Sequence, residues 1–391
     1  MIVHFVVLFS AILVGEYIAR KAKNTFVFLR LWMLIGIFLS ISVLAGASSY
    51  WGLMFFSVIV AANFGFGIPA CFGYFALTTP ANNRGKFGGV IFLLIGLSVF
   101  LLSFLGNAEL LTVVTVLTLW RTMGFLTLSY AKPVEEFNAP KSLPKKDLSY
   151  RQMLSNRTFL LYFVPWTIFL LINSTSFPIN SVAFPALVST GGEIELVLAG
   201  ISAVIFGFFA DSKGRKRLAV VGFAMLGVGY AILAFTAQEL GFWIYTFIDG
   251  ITWGIFVTIF LFSIWGDISE GKKSSKMYSI GIMPYLLSSL IRILTEGHLT
   301  TYVETVTFAA IFSFFSFFLF IAVLPLAIAP ETMSEQIIRS NDLKSYIEKA
   351  KKQKTKTQKK QQEQTNDEEV QTAGEETEEY KKAKELAEKY Y

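Results

Sequence analysis

Residues 207–217 read GFFADSKGRKR: an apolar approach, one acidic residue at Asp211, Gly214, and then the cationic run Arg215, Lys216 and Arg217. Apolar sequence extends from this stretch in both directions, over 194–211 and 218–236. Crossing a ~30 Å hydrocarbon layer as a helix takes roughly 17–25 residues, so each flank is long enough to span. The stretch is then a tight basic bend between two spanning helices. Outward from it, nine further apolar runs have spanning length: 2–18, 26–47, 51–77, 87–106, 109–130, 158–182, 241–266, 277–296 and 303–329. Gly65, Gly67, Pro69, Pro165, Pro178 and Pro284 lie inside these runs without demoting them, because neighbouring helices can satisfy the freed backbone groups.

Composition points the same way. Of 391 residues, 54% are hydrophobic, and the mean hydropathy is +0.55. A soluble chain of this length has no single core able to hide so much apolar surface. Charge is concentrated at one end, where residues 331–391 hold 13 of the 34 Lys+Arg and 14 of the 28 Asp+Glu. The net charge of +6 arises in loops beside apolar segments, which fits a lipid bilayer as partner and argues against nucleic acid. The single cysteine, Cys71, excludes an intrachain disulfide, and with only His4 and His298 there are few ligands for zinc or haem. No cofactor or metal is expected. A cleaved signal peptide is not indicated either, because Arg20, Lys21 and Lys23 follow the first apolar run instead of preceding it.

If the spans alternate from an external N-terminus, the inner segments are 19–25, 78–86, 131–157, 212–217, 267–276 and the tail. Before residue 331, every basic residue except Arg121 and Arg292 falls in those segments or on their flanks. The opposite loops carry Glu109, Glu193, Glu195, Glu239 and Glu304, with no Lys or Arg. This is the positive-inside pattern, and it predicts a multi-pass cell-membrane protein with a cytoplasmic C-terminus. The polar segment 131–157 reads as a cytoplasmic linker between an N-terminal bundle, 1–130, and a C-terminal bundle, 158–330. Residues 331–391 form a charged cytoplasmic tail, basic from Lys349 to Lys360 and acidic from Glu363 to Glu379. Its middle is too polar to fold alone. Tyr380, Ala383, Leu386, Ala387 and Tyr390 have the spacing of a short amphipathic helix, which either docks on a cytoplasmic partner or stays solvated.

Gly207, Asp211, Gly214, Arg215 and Lys216 together resemble the loop signature of the major facilitator superfamily, with Ser212 departing from its usual basic residue. A decayed copy, GEYIARKAK, occupies 15–23: Gly15 and Arg20 fit, Lys23 keeps the later charge, and Ala19 stands at the acidic position. RGKFGG at 84–89 resembles the basic-glycine loop the family carries between its fourth and fifth helices, and EGKKSSK at 270–276 holds the corresponding place in the second half. Gly15 and Gly207 are 192 positions apart, Gly85 and Gly271 are 186 apart, and such near-equal offsets indicate duplicated halves. The expected fold is an all-α polytopic membrane protein of two pseudo-symmetric helical bundles, five plus six spans. The resemblance covers 1–330 and implies that the family's first, cavity-lining helix has no counterpart ahead of Gly15. Either Met1 is an internal start of a longer protein, or a wall of the pathway is missing.

A charge at the centre of a spanning helix costs at least about 2.5–3.5 kcal/mol, so it persists where a partner or water faces it. Asp249 lies inside 241–266, and the offset of 186 maps it to Asn63 in 51–77. By resemblance both helices line the central cavity, where the two residues would face each other. Asp249 there can take a proton or bind a cationic substrate group; the alternatives are a structural hydrogen-bond network or a pair with Arg292. Arg292 shares a helix face with Tyr285, Ser288, Ser289 and Glu296, and either binds an anionic group or serves as a structural partner. Asn173, Ser174, Thr175 and Ser176 precede Pro178 in a polar, bent part of 158–182, suited to solute binding or to close helix packing. Arg121 has no functional reading, and Glu16 an interfacial one. The resemblance implies a gate: Asp211 engages the start of the helix near Arg84, Gly85 and Lys86, where a helix N-terminus attracts a carboxylate by roughly 0.3–1 kcal/mol. The same basic residues also suffice to set topology alone.

These readings converge on a secondary active transporter of a small solute, working by alternating access, with proton coupling an option. There is no GxxxxGK[ST] phosphate loop and no His/Ser/Asp or metal constellation, so neither ATP-driven transport by this chain nor an enzyme is indicated. The rival reading is a non-transporting scaffold or sensor of the same fold that recruits a cytoplasmic partner through its tail.

Overall fold

A computed structural model describes the chain apart from residues 1, 23, 47–48, 107, 132–148, 237, 270–273, 304–306, 365–377 and 391. Most of the expected linker, the first four residues of EGKKSSK and most of the acidic stretch of the tail therefore lie outside the described residues. Among the described residues, eleven helices are long and apolar enough to cross a bilayer. The first half comprises α1 (Ile2–Lys21), α2 (Thr25–Gly46), α3 (Tyr50–Thr78), α4 (Arg84–Ser103), which follows the tight turn Ala81–Asn83, and α5 (Leu110–Tyr130). After the short α6 (Tyr150–Leu154) come α7 (Arg157–Ala183), α8 (Val188–Lys213), α9 (Arg215–Phe235) and α10 (Glu239–Phe256). A wide π-helical turn, Val257–Ser263, carries α10 into α11 (Ile264–Ile268). The last span is reached through α12 (Ser275–Gly281) and α13 (Met283–Val303), and is α14 (Phe308–Ile328). The chain is an all-α, multi-pass membrane protein.

The basic bend is built as its residues require. Gly214 has φ 99°, a left-handed conformation open to glycine without a Cβ clash, so α8 stops and α9 starts within one residue. Close helix approaches repeat between the halves. A Cβ on Gly65 of α3 would sit 2.7 Å from the Leu8 carbonyl oxygen of α1, and one on Gly254 of α10 would sit 2.7 Å from the Ala199 carbonyl oxygen of α8. Small residues let both helix pairs touch at the backbone, which is how spanning helices associate where lipid offers no hydrophobic drive.

The cores of the halves differ. In the second half, Phe159, Tyr162, Trp166 and Phe169 of α7 are fully buried against Phe223, Phe256, Phe260 and Trp265, and the Trp166 indole donates to the Gly281 carbonyl at 3.0 Å. In the first half, α5 buries Val114 alone among its described residues.

Two expectations need correction. The helix expected over 194–211 begins at Val188, so Gly191, Glu193 and Glu195 belong to a span and not to a loop. The tail is helical across the whole of its basic stretch, as α15 (Met333–Gln364); the amphipathic spacing near its end falls on a helix, α16 (Glu378–Tyr390), which packs on α15 and buries Ala383. The reason is a built start. Thr332 precedes α15, and the Glu335 carboxylate accepts from the Thr332 amide at 2.9 Å and from the Lys216 amide of α9 at 2.7 Å. One side chain thus caps two helices, and a nucleated helix propagates readily through lysine and glutamine. Glu335→Ala should cost about 1–2 kcal/mol of local stability and speed amide exchange across residues 333–345; unchanged exchange would show that packing alone holds α15.

Candidate functional site

The halves meet along α4 and α8 at the face that carries the basic loops. Glycines bring the two helices together: a Cβ on Gly207 would lie 2.5 Å from the Gly85 carbonyl oxygen, and one on Gly85 would lie 2.7 Å from Asp211 Oδ1. The Asp211 carboxylate accepts from the Gly85 amide at 2.9 Å and from the Lys86 amide at 2.8 Å, so it caps the first turn of α4 from the other half. Arg215 donates to Asp211 at 3.1 Å and to the Ala81 carbonyl at 2.5 Å. Asp267, just before the end of α11, pairs with Arg84 at 2.5 Å and also with Arg215. Arg84 further donates to the Ala76 and Thr79 carbonyls at 2.8 and 3.2 Å.

All four side chains are buried, at 4% exposure for Arg84, 6% for Asp211, 0% for Arg215 and 1% for Asp267. Two guanidinium and two carboxylate groups neutralise one another, which is the condition for tolerating buried charge. Lys216 stands just outside this cluster and donates from Nζ to the Ala329 carbonyl at 2.6 Å. Asp267 was not singled out by sequence, although it is an acidic residue at the basic end of a span, the one signal available.

A second polar group lies inside the second half, toward the face away from the basic loops. Asn173, Ser176, Phe177 and Asn180 of α7, Glu195 of α8, Tyr245 and Asp249 of α10, and Arg292 of α13 line a cavity of about 90 Å³. Glu195 is 16 residues before Asp211 on α8, roughly 24 Å along the helix. Asp249 Oδ2 accepts from the Tyr245 hydroxyl at 2.8 Å, which in turn contacts the Tyr230 hydroxyl at 3.1 Å. Arg292 lies 4.4 Å from the centre of the Phe177 ring. Among the described residues it makes no ion pair with Asp249 or Glu296.

Three sequence candidates stand elsewhere. The Asn63 amide nitrogen would be 3.2 Å from a Cβ on Gly36, next to Arg121, so Asn63 faces α2 and does not line the cavity of Asp249. The repeat offset fixed its depth but not its helix face. Ser174 and Ser288 are buried, with hydroxyls returned to the Leu171 and Tyr285 carbonyls of their own helices at 3.2 and 2.8 Å. Arg121, left without a partner by sequence, donates to the Gly36 carbonyl at 2.6 Å and to Ser40 Oγ at 2.7 Å, tying α5 to α2.

No family model matches the sequence, and no curated protein matches it. Solved structures do. The proton:xylose symporter XylE, bound to 6-bromo-6-deoxy-D-glucose, superposes with a TM-score of 0.62 at 13% identity, over 85% of this chain and 86% of that one. The major facilitator superfamily transporter FucP in its outward conformation gives 0.63 at 13% identity, over 84% and 89%. The human organic anion transporter MFSD10 gives 0.59 at 16% identity, over 83% and 82%. The chain has the major facilitator superfamily fold.

Within that fold the two seams of the basic face are unequal. Ala19 stands where the resemblance places the acidic residue of the first repeat, and no hydrogen bond from the start of α12 to a carboxylate is seen among the described residues. Instead α12 packs on α3, where a Cβ on Gly73 would lie 2.9 Å from Ser275 Cβ. Glu16, fully buried, pairs with Arg20 at 3.3 Å and accepts from the Tyr150 hydroxyl of α6 at 2.8 Å. Burial, reinforced by the Glu16 carboxylate, pushes the Tyr150 phenol up to about 12, so it remains a donor at physiological pH. The Lys276 ammonium lies 4.8 Å from the Tyr150 ring centre. In this facilitator fold, buried charge bridges one seam, and small residues, Tyr150 and the Glu16–Arg20 pair lie at the other.

Proposed function

We propose that the chain is a secondary active transporter of a small solute, with the basic-loop face in the cytoplasm and the cavity at Asp249 as the solute site. One observation carries the reading. The ion pairs that join α4 to the second half among the described residues are buried and mutually neutralised at the basic face, while an acid-bearing cavity lies about 24 Å away toward the opposite face. A molecule closed at one end around a polar interior site is the arrangement alternating access requires. The sugars and organic anions named for the similar structures show what this fold can carry, and Asp249 adds a group able to exchange a proton. The bilayer is the protein's permanent partner, and the tail, docked on α9 through Glu335, is available to a cytoplasmic one.

The Asp211 clamp gives the test. Asp211→Asn removes a charged acceptor from the start of α4 and a counter-ion from Arg215, worth about 1.5–3 kcal/mol, or a shift of about 10- to 100-fold toward the state open on the basic face. A cysteine at Ala81 should then react faster with an impermeant thiol reagent applied from the cytoplasmic side. A cysteine at Gly192, beside the cavity, should react more slowly from outside. Both in a background with Cys71 replaced, these rates moving together, or not at all, would count against alternating access.

A further inference from the structure

Two residues that line the cavity between α7, α8, α10 and α13 carry buried acceptor atoms that have no partner among the described residues. Asp249 Oδ1 and Asn180 Oδ1 are buried with no hydrogen-bond partner, in residues 1% and 7% exposed. An unpaired buried acceptor costs free energy comparable to a lost hydrogen bond, and both atoms belong to residues lining the same space. What completes them must donate. Glu195 adds a second carboxylate to the wall, and Arg292 one positive charge, so the cavity is one negative charge in excess when both acids are ionised. Phe177, Phe242 and Tyr245 supply aromatic surface beside these oxygens. An aromatic face next to a carboxylate is the environment that holds an alkylammonium group, by hydrogen bonds to oxygen and by attraction of the cation to the ring.

Size separates an organic cation from a bare one. The space of about 90 Å³ is several times the ~10–15 Å³ that a single water requires on the same measure, more than an alkali ion needs. We infer that this cavity binds the ammonium group of a small organic amine, with Asp249 and Asn180 accepting its N–H bonds, Glu195 balancing its charge and the aromatic side chains covering its carbon skeleton. Arg292, held at the Phe177 ring, sits on the same wall, where a carboxylate elsewhere on the same solute, as in a zwitterion, would meet it. The inference rests on the transporter reading for its biological use, not for the binding itself.

Purified full-length protein in nanodiscs, in amine-free phosphate buffer, is titrated with primary amines from methylamine to phenethylamine, each beside the carboxylic acid and the alcohol of the same skeleton, and with sodium chloride at matched ionic strength. Thermal unfolding and calorimetry read the binding. The amines should raise the unfolding temperature, and the acids, alcohols and sodium should not. Asp249→Asn and Asn180→Leu should each weaken amine binding about tenfold or more, the loss of one charge-assisted or buried acceptor. Arg292→Gln and Asn180→Asp should tighten it, which keeps the inference testable if the first pair fails to fold. Preferential stabilisation by the acids, by the alcohols or by sodium would overturn it, as would amine binding indifferent to all four substitutions. Loss of amine binding with intact opposed cysteine reactivity refutes the ligand class alone; amine binding without opposed reactivity refutes the transport reading alone.

Discussion

Asp267→Asn is expected to open the seam on the basic face. The residue is 1% exposed, and its side chain sits between Arg84 and Arg215. Asparagine keeps the shape but removes the charge, leaving two buried guanidinium groups with the single carboxylate of Asp211. Arg84 then keeps the Ala76 and Thr79 carbonyls and a neutral amide oxygen in place of the carboxylate. Removing one partner from a buried ion pair costs about 3–5 kcal/mol. That cost falls on the closed state, because opening lets water reach both arginines. At 1.4 kcal/mol for each factor of ten, the closed-to-open ratio should fall by more than about 100-fold. Spin labels at the exposed positions Asn82 and Lys213, on either side of the seam, report it as a longer distance distribution. A control separates opening from misfolding. Arg84→Leu combined with Asp267→Leu leaves Arg215 with Asp211 and replaces the other pair by apolar groups, an exchange that is often neutral, so the short distance should return. An unchanged distribution in Asp267→Asn would show that the cluster does not hold the seam.

The second large effect is steric. Gly89→Ala should force α4 and α8 apart, since a Cβ there would meet the backbone carbonyl carbon of Ala203 at 2.7 Å and Val204 Cα at 3.1 Å. Backbone atoms cannot rotate away, so the helices must separate, and overpacking of this kind costs about 1–3 kcal/mol. Gly96→Ala, two turns further along α4, is the internal comparison: its Cβ would come no closer than 4.0 Å to Leu196 Cδ1, ordinary contact. The Gly89 variant should lose thermal stability or the short Asn82–Lys213 distance, while the Gly96 variant keeps both. Equal behaviour of the two would mean that the halves do not touch at Gly89.

Reading depth along the chain explains what was legible. Lipid acts on each segment separately, so a run of apolar residues declares itself as a span without reference to any other part of the chain, and all eleven were recoverable. The boundary of α8 was not, because Gly191, Glu193 and Glu195 resemble a loop in isolation. They enter the helix because Gly191 packs on Phe242, where a Cβ would be 2.9 Å from its ring, and because Glu195 has a shared cavity to face. The tail shows the same limit. Its lysine-rich stretch reads as solvated until Glu335 is seen to cap both α15 and α9.

By itself, the sequence determined the number of spans, their basic and non-basic sides, the repetition of the halves and the acidic residue of the basic bend. These follow from local hydropathy, local charge and spacing, quantities that add along the chain. Tertiary structure alone decided that Asn63 turns to α2, that Glu195 and Asn180 join Asp249, and that Asp267 neutralises Arg84 across 183 positions. The physical reason is directional. A span's depth in the membrane is set by its own residues, but the face a polar side chain presents, and the charge that compensates it, are set by helices packed from elsewhere in the chain.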